Sequence, residues 1–281
     1  MTNDSLLRLP EEAVTPFGRD NLMTVGDLCR LTWDGETVGW GLVSGFNGDM
    51  VFMCPVTSGD CNWFGAVRLP FAEKLWVWPS YEMPMGKHLV DGDAGQKASP
   101  RWVRCVRNQI KEGSLDGFEI SKLDRDDRRE MILAESWEHN SHNTACAGGI
   151  GFLPFDPEKL SRRNIHVSDF RSAFPDMRPH QSGALYNGRL LPDRNQIQTV
   201  LNYFQLNDAN DVLPDQPPRA VSRLCLPDLK INVKAVLGSR NEDEESVRHD
   251  AVERQLSAHR AEGNIGNQLR NILLEMEHGI D

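Results

Sequence analysis

Between Val25 and Leu69 the chain is a series of short apolar segments cut by turn residues, and this alternation constrains the fold more than any other feature. The segments run from Leu28 to Trp33, Val38 to Ser44, Met50 to Val56 and Ala66 to Leu69. The breaks fall at Asp34-Gly35, Asn47-Gly48-Asp49 and Gly59-Asp60, where Asn, Asp and Gly tolerate positive φ. Asn47-Gly48 between two apolar runs is a strong hairpin signal and should lie at a hairpin tip. Short strands joined by tight turns over so few residues imply a small, strongly bent barrel of the SH3-like kind. Gly26 to Leu69 is therefore expected to be antiparallel sheet without helix. Leu75-Trp76-Val77-Trp78-Pro79 supplies a last strand, and Trp63, Trp76 and Trp78 read as barrel core and dimer surface, with base-stacking platforms the alternative. Met83 to Ala98 is rich in Gly and Asp and reads as a loop.

A chain of 281 residues, 39% of them apolar, has enough material for one large or two modest folded domains. Its formal charge of −10 excludes a protein that binds nucleic acid over its whole surface, so any such role needs a local basic patch. Six cysteines at 29, 54, 61, 105, 146 and 225 form no C-x-x-C pair and read as reduced thiols of a cytoplasmic protein. No secretory signal and no membrane-length apolar run is present, so a membrane partner is not expected. Metalloprotease, Walker and nucleophile-elbow motifs are all missing.

Basic charge gathers on one helix. Ser99-Pro100 is a helix entry, a hydroxyl N-cap followed by proline at the first helical position. Trp102, Val103, Val106 and Ile110 then share one arc, and Arg101, Arg104, Arg107 and Lys111 the other. The second arc is a cationic ridge suited to phosphate contact, or a solvated face. Beyond it, Asp124 to Trp137 is a charged helix with Met131, Ile132 and Ala134 inward. Asp193 with Gln196 opens a core helix carrying Ile197, Val200, Leu201 and Phe204. Leu229, Ile231, Val233 and Ala235 alternate as a strand would. Glu242 to Glu245 then begin a charged helical tail that breaks at Gly263 and Gly266, and ends in an apolar stripe of Leu269, Ile272, Leu273 and Met276.

The order Gly26-Asp27, Gly41-Leu42-Val43-Ser44 and Val51 to Gly59, ending Pro55-Val56-Thr57-Ser58-Gly59, resembles the PemK/Kid/MazF family of toxin ribonucleases. That resemblance implies a small dimerising barrel that cleaves single-stranded RNA without a metal or other cofactor. By motif it carries over only Thr57 and Ser58, as substrate-contacting or loop-shaping residues. Active members hold an Arg-Pro pair where this chain reads Gly39-Trp40-Gly41, so the resemblance assigns no catalytic residue. If charge is to stabilise a phosphorane, Arg30 and Arg68 are the groups available.

The expected fold class is thus α+β. An arm (residues 1–23) precedes a PemK/MazF-like barrel with its basic helix (24–113), a second α+β region (114–237) and a charged helical tail (238–281). Two functions stand side by side: an RNA-binding protein, with or without cleavage, and a non-catalytic protein-interaction module, either one a homodimer on the family pattern. A third is a zinc-dependent enzyme built on His139, His142 and Cys146, all ligand types but at a spacing that matches no standard signature.

Overall fold

The computed structural model describes residues 14–17, 22–48, 50–59, 62–111, 117–142, 153–258 and 264–279. It is a mixed α+β protein with eight strands and ten helices among those residues. The chain divides into two compact units, one of residues 1–144 with 226–231, the other of 145–225 with 232–281. The sequence had placed its first boundary near Gly113.

The first unit holds every described strand: β1 (Thr15–Pro16), β2 (Asp27–Trp33), β3 (Glu36–Asn47), β4 (Met50–Ser58), β5 (Val67–Arg68), β6 (Leu75–Val77), β7 (Met83–Gly86) and β8 (Val90–Lys97). They form one antiparallel sheet in the order β1-β8-β2-β3-β4-β6-β5, with β7 also paired to β4. The path is not closed, so the expected SH3-like barrel is met here by an open, bent sheet. Bending is visible on β4, whose first half pairs with β7 while its second half pairs with β6.

The turns follow the chemistry of their residues. Asp34 and Gly35 both have positive φ between the paired residues Trp33 and Glu36, the requirement of a two-residue type I′ hairpin. Asn47 pairs with Met50 as the last residue of β3, and Gly48 follows with φ 57°. No helix lies among the described residues from Leu28 to Val56.

Apolar runs rather than strict alternation are what a sheet covered on both faces needs. One face carries Cys29, Leu31, Val43, Val51 and Met53 against Trp63, Trp78, Leu133 and Trp137. The other carries Leu28, Trp40, Leu42, Cys54 and Val56 against Val67, Val77 and Val103. The first face is closed by helix α2 (Asp127–His142), where Leu133 and Trp137 are fully buried. Met131, expected to point inward, is 55% exposed, and Asp126 accepts the Arg129 N–H at the helix start.

Met83 to Ala98 is not a loop. It supplies β7 and β8, and β8 pairs with β1 on one side and β2 on the other. Its Gly and Asp content hid this, but Gly92 has a steric reason: a Cβ there would lie 2.8 Å from the Thr15 carbonyl oxygen. Partial burial raises the carboxyl pKa of Asp93 on the same strand, with the Asp27 charge adding to the effect and the hydrogen bond from the Gly95 N–H opposing it. A raised native pKa means the folded state holds its proton more tightly, so stability falls as pH rises from the unfolded value through the native one. Asp93→Asn is therefore expected to be more stable than wild type at pH 7, with the gap closing below about pH 4 in acid titrations of thermal unfolding. A gap that stays constant across that range would rule the carboxyl out.

The second unit is helical throughout its described residues, where an α+β region had been expected. It comprises α3 (Pro157–Arg162), α4 (Val167–Ser172), α5 (Pro179–Tyr186), α6 (Arg194–Tyr203), α7 (Arg219–Leu224), α8 (Lys230–Ser239, from Asn232 onward), α9 (Glu244–Ser257) and α10 (Ile265–Glu277). Phe155, Leu160, Ile165, Phe170, Ile197 and Val200 form its main core. Asp193 caps α6 in a reciprocal box with Gln196, as the sequence implied. The alternation from Leu229 proved helical: Leu229, Val233 and Val236 are buried while Ile231 is 54% exposed. The C-terminal stretch, expected as a charged helical tail ending in an apolar stripe, is packed through that stripe. Leu269, Leu273 and Met276 of α10 and Val247, Ala251 and Val252 of α9 are fully buried, with α7 packed against both helices. Gly266 lies inside α10 rather than breaking it, where a Cβ would come within 2.6 Å of Arg223 Nε.

Candidate functional site

Helix α1 (Pro100–Lys111) organises the candidate site of the first unit. The Ser99 hydroxyl accepts the Trp102 N–H at 3.2 Å, the expected N-cap, and Val103 and Val106 bury the helix against the sheet. Arg101 and Arg104 are exposed. Arg107 departs from the expected ridge. With ~100° per residue it sits about 70° from the middle of the arc set by Val103 and Val106, so it flanks the buried face.

There Arg107 meets β3. The register of β3 on β4 shifts between Val43 and Gly45, a bulge at Ser44 whose carbonyl accepts from Arg107 Nη1 at 3.3 Å. Gly45 leaves the space: a Cβ would lie 3.3 Å from the same nitrogen. Glu82 holds the other side of the guanidinium, Nε to Oε1 at 2.7 Å and Nη2 to Oε2 at 2.9 Å. Between α1 and the bulge lies a cleft of about 310 Å³ lined by Ser44, Gly45, Val103, Arg104, Arg107 and Asn108, among others. The exposed Arg104 guanidinium and the Asn108 amide suit an anion of phosphate size, with Arg107 beside them already tied to Glu82. None of the lining residues has a carboxylate or an imidazole, so the cleft brings no general base of ordinary kind.

The other residues singled out in the sequence do not gather here. Thr57 is fully buried, and its hydroxyl accepts the Trp78 indole N–H at 3.0 Å. Ser58 is half-buried opposite Leu75. Arg30 donates through Nε to Asp91 at 2.8 Å. Strand alternation sets Arg30 on the Leu28 face and Thr57 on the opposite face from Val56, so the two lie on opposite sides of the sheet. Thr57 and Arg68 are both register partners of Trp76, and Arg68 is ion-paired to Glu119. The side chain of Lys111 lies outside the described residues.

Nucleophile and metal chemistry fare as follows. The Cys54 thiol, beneath the bulge, is pushed far up by burial, with the Glu82 charge adding to it, and stays protonated. His139 is exposed on α2, while the His142 side chain and Cys146 lie outside the described residues. In the second unit, His249, Asp250 and Glu253 of α9 bring one ligand atom each within 4.8 Å of one another and could hold a divalent cation. Glu253 Oε1 already accepts the Leu191 N–H at 2.9 Å.

Sequence reasoning found Arg104 and Arg107 but not the parts of Glu82, which closes a 3-10 turn just before β7, of Ser44 at the β3 bulge, or of Glu119, whose carbonyl accepts the Arg68 N–H. No helix of the described residues is long and apolar enough to cross a membrane. Comparison with protein-family models, curated proteins and solved structures gives no match.

Proposed function

We propose that the sheet unit is a divergent PemK/MazF-like module that binds single-stranded RNA and does not cleave it. The observation that carries this reading is the cleft between α1 and the Ser44 bulge, where the exposed Arg104 and Asn108 stand beside Arg107, whose own guanidinium is tied to Glu82. Cleavage of the 2′-hydroxyl kind needs a base, an acid and fixed positive charge at one phosphate. Arg30 and Arg68, the charges available to it, are instead neutralised by Asp91 and Glu119. The second reading is a non-catalytic protein-interaction module.

Salt dependence separates the two. Fluorescence anisotropy of a labelled single-stranded RNA should show affinity falling steeply between 50 and 200 mM salt. Arg104→Gln is exposed and should leave the fold intact while lowering the logarithmic salt slope by about 0.7, one phosphate contact. An unchanged slope would remove Arg104 from the interface. Absence of RNA binding at low salt would leave the protein-interaction module.

A further inference from the structure

A second cavity, of about 380 Å³, lies on the Trp102 side of α1. Its lining includes Arg68, Phe71, Trp102, Phe118 and Glu119. That volume falls within the range of small-molecule sites. The cavity is positioned by backbone. The segment after α1 returns to the sheet edge, where Arg68 donates its N–H to the Glu119 carbonyl at 2.8 Å, Val67 bridges Ile120, and the Ser121 N–H reaches the Ala66 carbonyl at 3.0 Å. These bonds fix Arg68 and Glu119 side by side. Trp102 and Phe118 stand edge to face at 5.7 Å and 89°, at the same cavity.

The ion pair has a readable edge. Arg68 contacts Glu119 through one nitrogen and one carboxylate oxygen. A guanidinium beside a carboxylate presents a row of one donor followed by two acceptors. Guanine is the base whose Watson–Crick edge is the complement: O6 accepts, then N1–H and N2–H donate. Adenine offers a donor and then an acceptor, and cytosine a donor and then two acceptors. Uracil has a single donor between two acceptors. Each would set an unpaired or repelling group against Arg68 or Glu119. Trp102 and Phe118 border the same cavity, their rings packed edge to face against each other.

We infer that the cavity is a guanine subsite, read by Arg68 and Glu119 and bordered by Trp102 and Phe118. This rests on the RNA reading above and names the base that the module selects. Because Arg68 and Glu119 are 37% and 51% exposed, their mutual pairing is weak enough to be shared with a ligand.

The test uses the full chain and two probes. Guanosine monophosphate should quench tryptophan fluorescence at concentrations where adenosine, cytidine and uridine monophosphates do not. Glu119→Gln, on an exposed side chain, should weaken that binding about tenfold or more while circular dichroism and thermal unfolding stay as in wild type. Oligonucleotides of mixed sequence with and without a single guanine should differ by a similar factor in wild type and not in the variant. RNA binding without guanine preference would overturn the subsite and leave the RNA reading standing. Guanosine monophosphate binding with no RNA binding would support the subsite and overturn the RNA reading. If the mononucleotides and the oligonucleotides are all bound without discrimination, or none is bound, the subsite is overturned.

Discussion

Glu244→Gln is expected to lower the unfolding free energy by about 3–5 kcal/mol, read as a drop in the urea midpoint followed by circular dichroism. Glu244 and Arg248 are one turn apart on α9 and are 0% and 1% exposed. Arg248 donates Nε at 2.9 Å and Nη2 at 2.7 Å to the same Glu244 oxygen, and Nη1 at 2.8 Å to the Leu224 carbonyl. Neutralising the carboxylate keeps its shape but leaves a guanidinium charge in the interior of the α7, α9 and α10 core. Removing both charges together, with Glu244→Leu and Arg248→Met, should recover most of the loss, less about 1 kcal/mol for the Leu224 carbonyl. A single variant within 0.5 kcal/mol of wild type would show that water reaches the pair.

Trp137→Ala should destabilise the first unit by a similar amount, about 3–5 kcal/mol. The indole is fully buried against the Cys29, Val43 and Met53 face, and its ring fills the space above Gly41, where a Cβ would meet it at 3.1 Å. The indole N–H has no hydrogen-bond partner. Trp137→Phe therefore discards a buried polar group along with some volume, and its loss should be well under half that of the alanine variant. Equal losses in the two variants would mean that a phenyl ring restores none of the packing that holds α2 to the sheet.

How far the sequence disclosed these features depends on the range of the interactions. Asp34-Gly35, the Ser99 cap and the Asp193–Gln196 box act over three or four residues, and each could be read directly. Strand β8 could not, because its stability comes from ladders to residues 59 to 78 positions away, and its own Gly and Asp disfavour a strand. Alternation from Leu229 misled for a related reason. Four apolar residues in two-residue steps fit a strand, yet burial at 229, 233 and 236 obeys the helical period. In the candidate site, α1 and its arginines were legible from charge and spacing. The Ser44 bulge and the Arg68–Glu119 edge were not, since register shifts and pairings fifty residues apart leave no local trace.

The membership of residues 226–231 has a bearing on biosynthesis. The first unit is not a continuous stretch of chain: its last piece is made only after more than eighty residues of the other unit. Within that piece Lys230 is fully buried, its Nζ donating to the Thr32 carbonyl at 2.8 Å near the Trp33 ring. At ~5–20 residues per second, the intervening stretch takes roughly 4–16 s to translate. For that interval the nascent sheet lacks its final lysine, with the Thr32 carbonyl awaiting its donor. The unit therefore matures late, and cutting the gene after residue 144 would separate it from a part of its own interior.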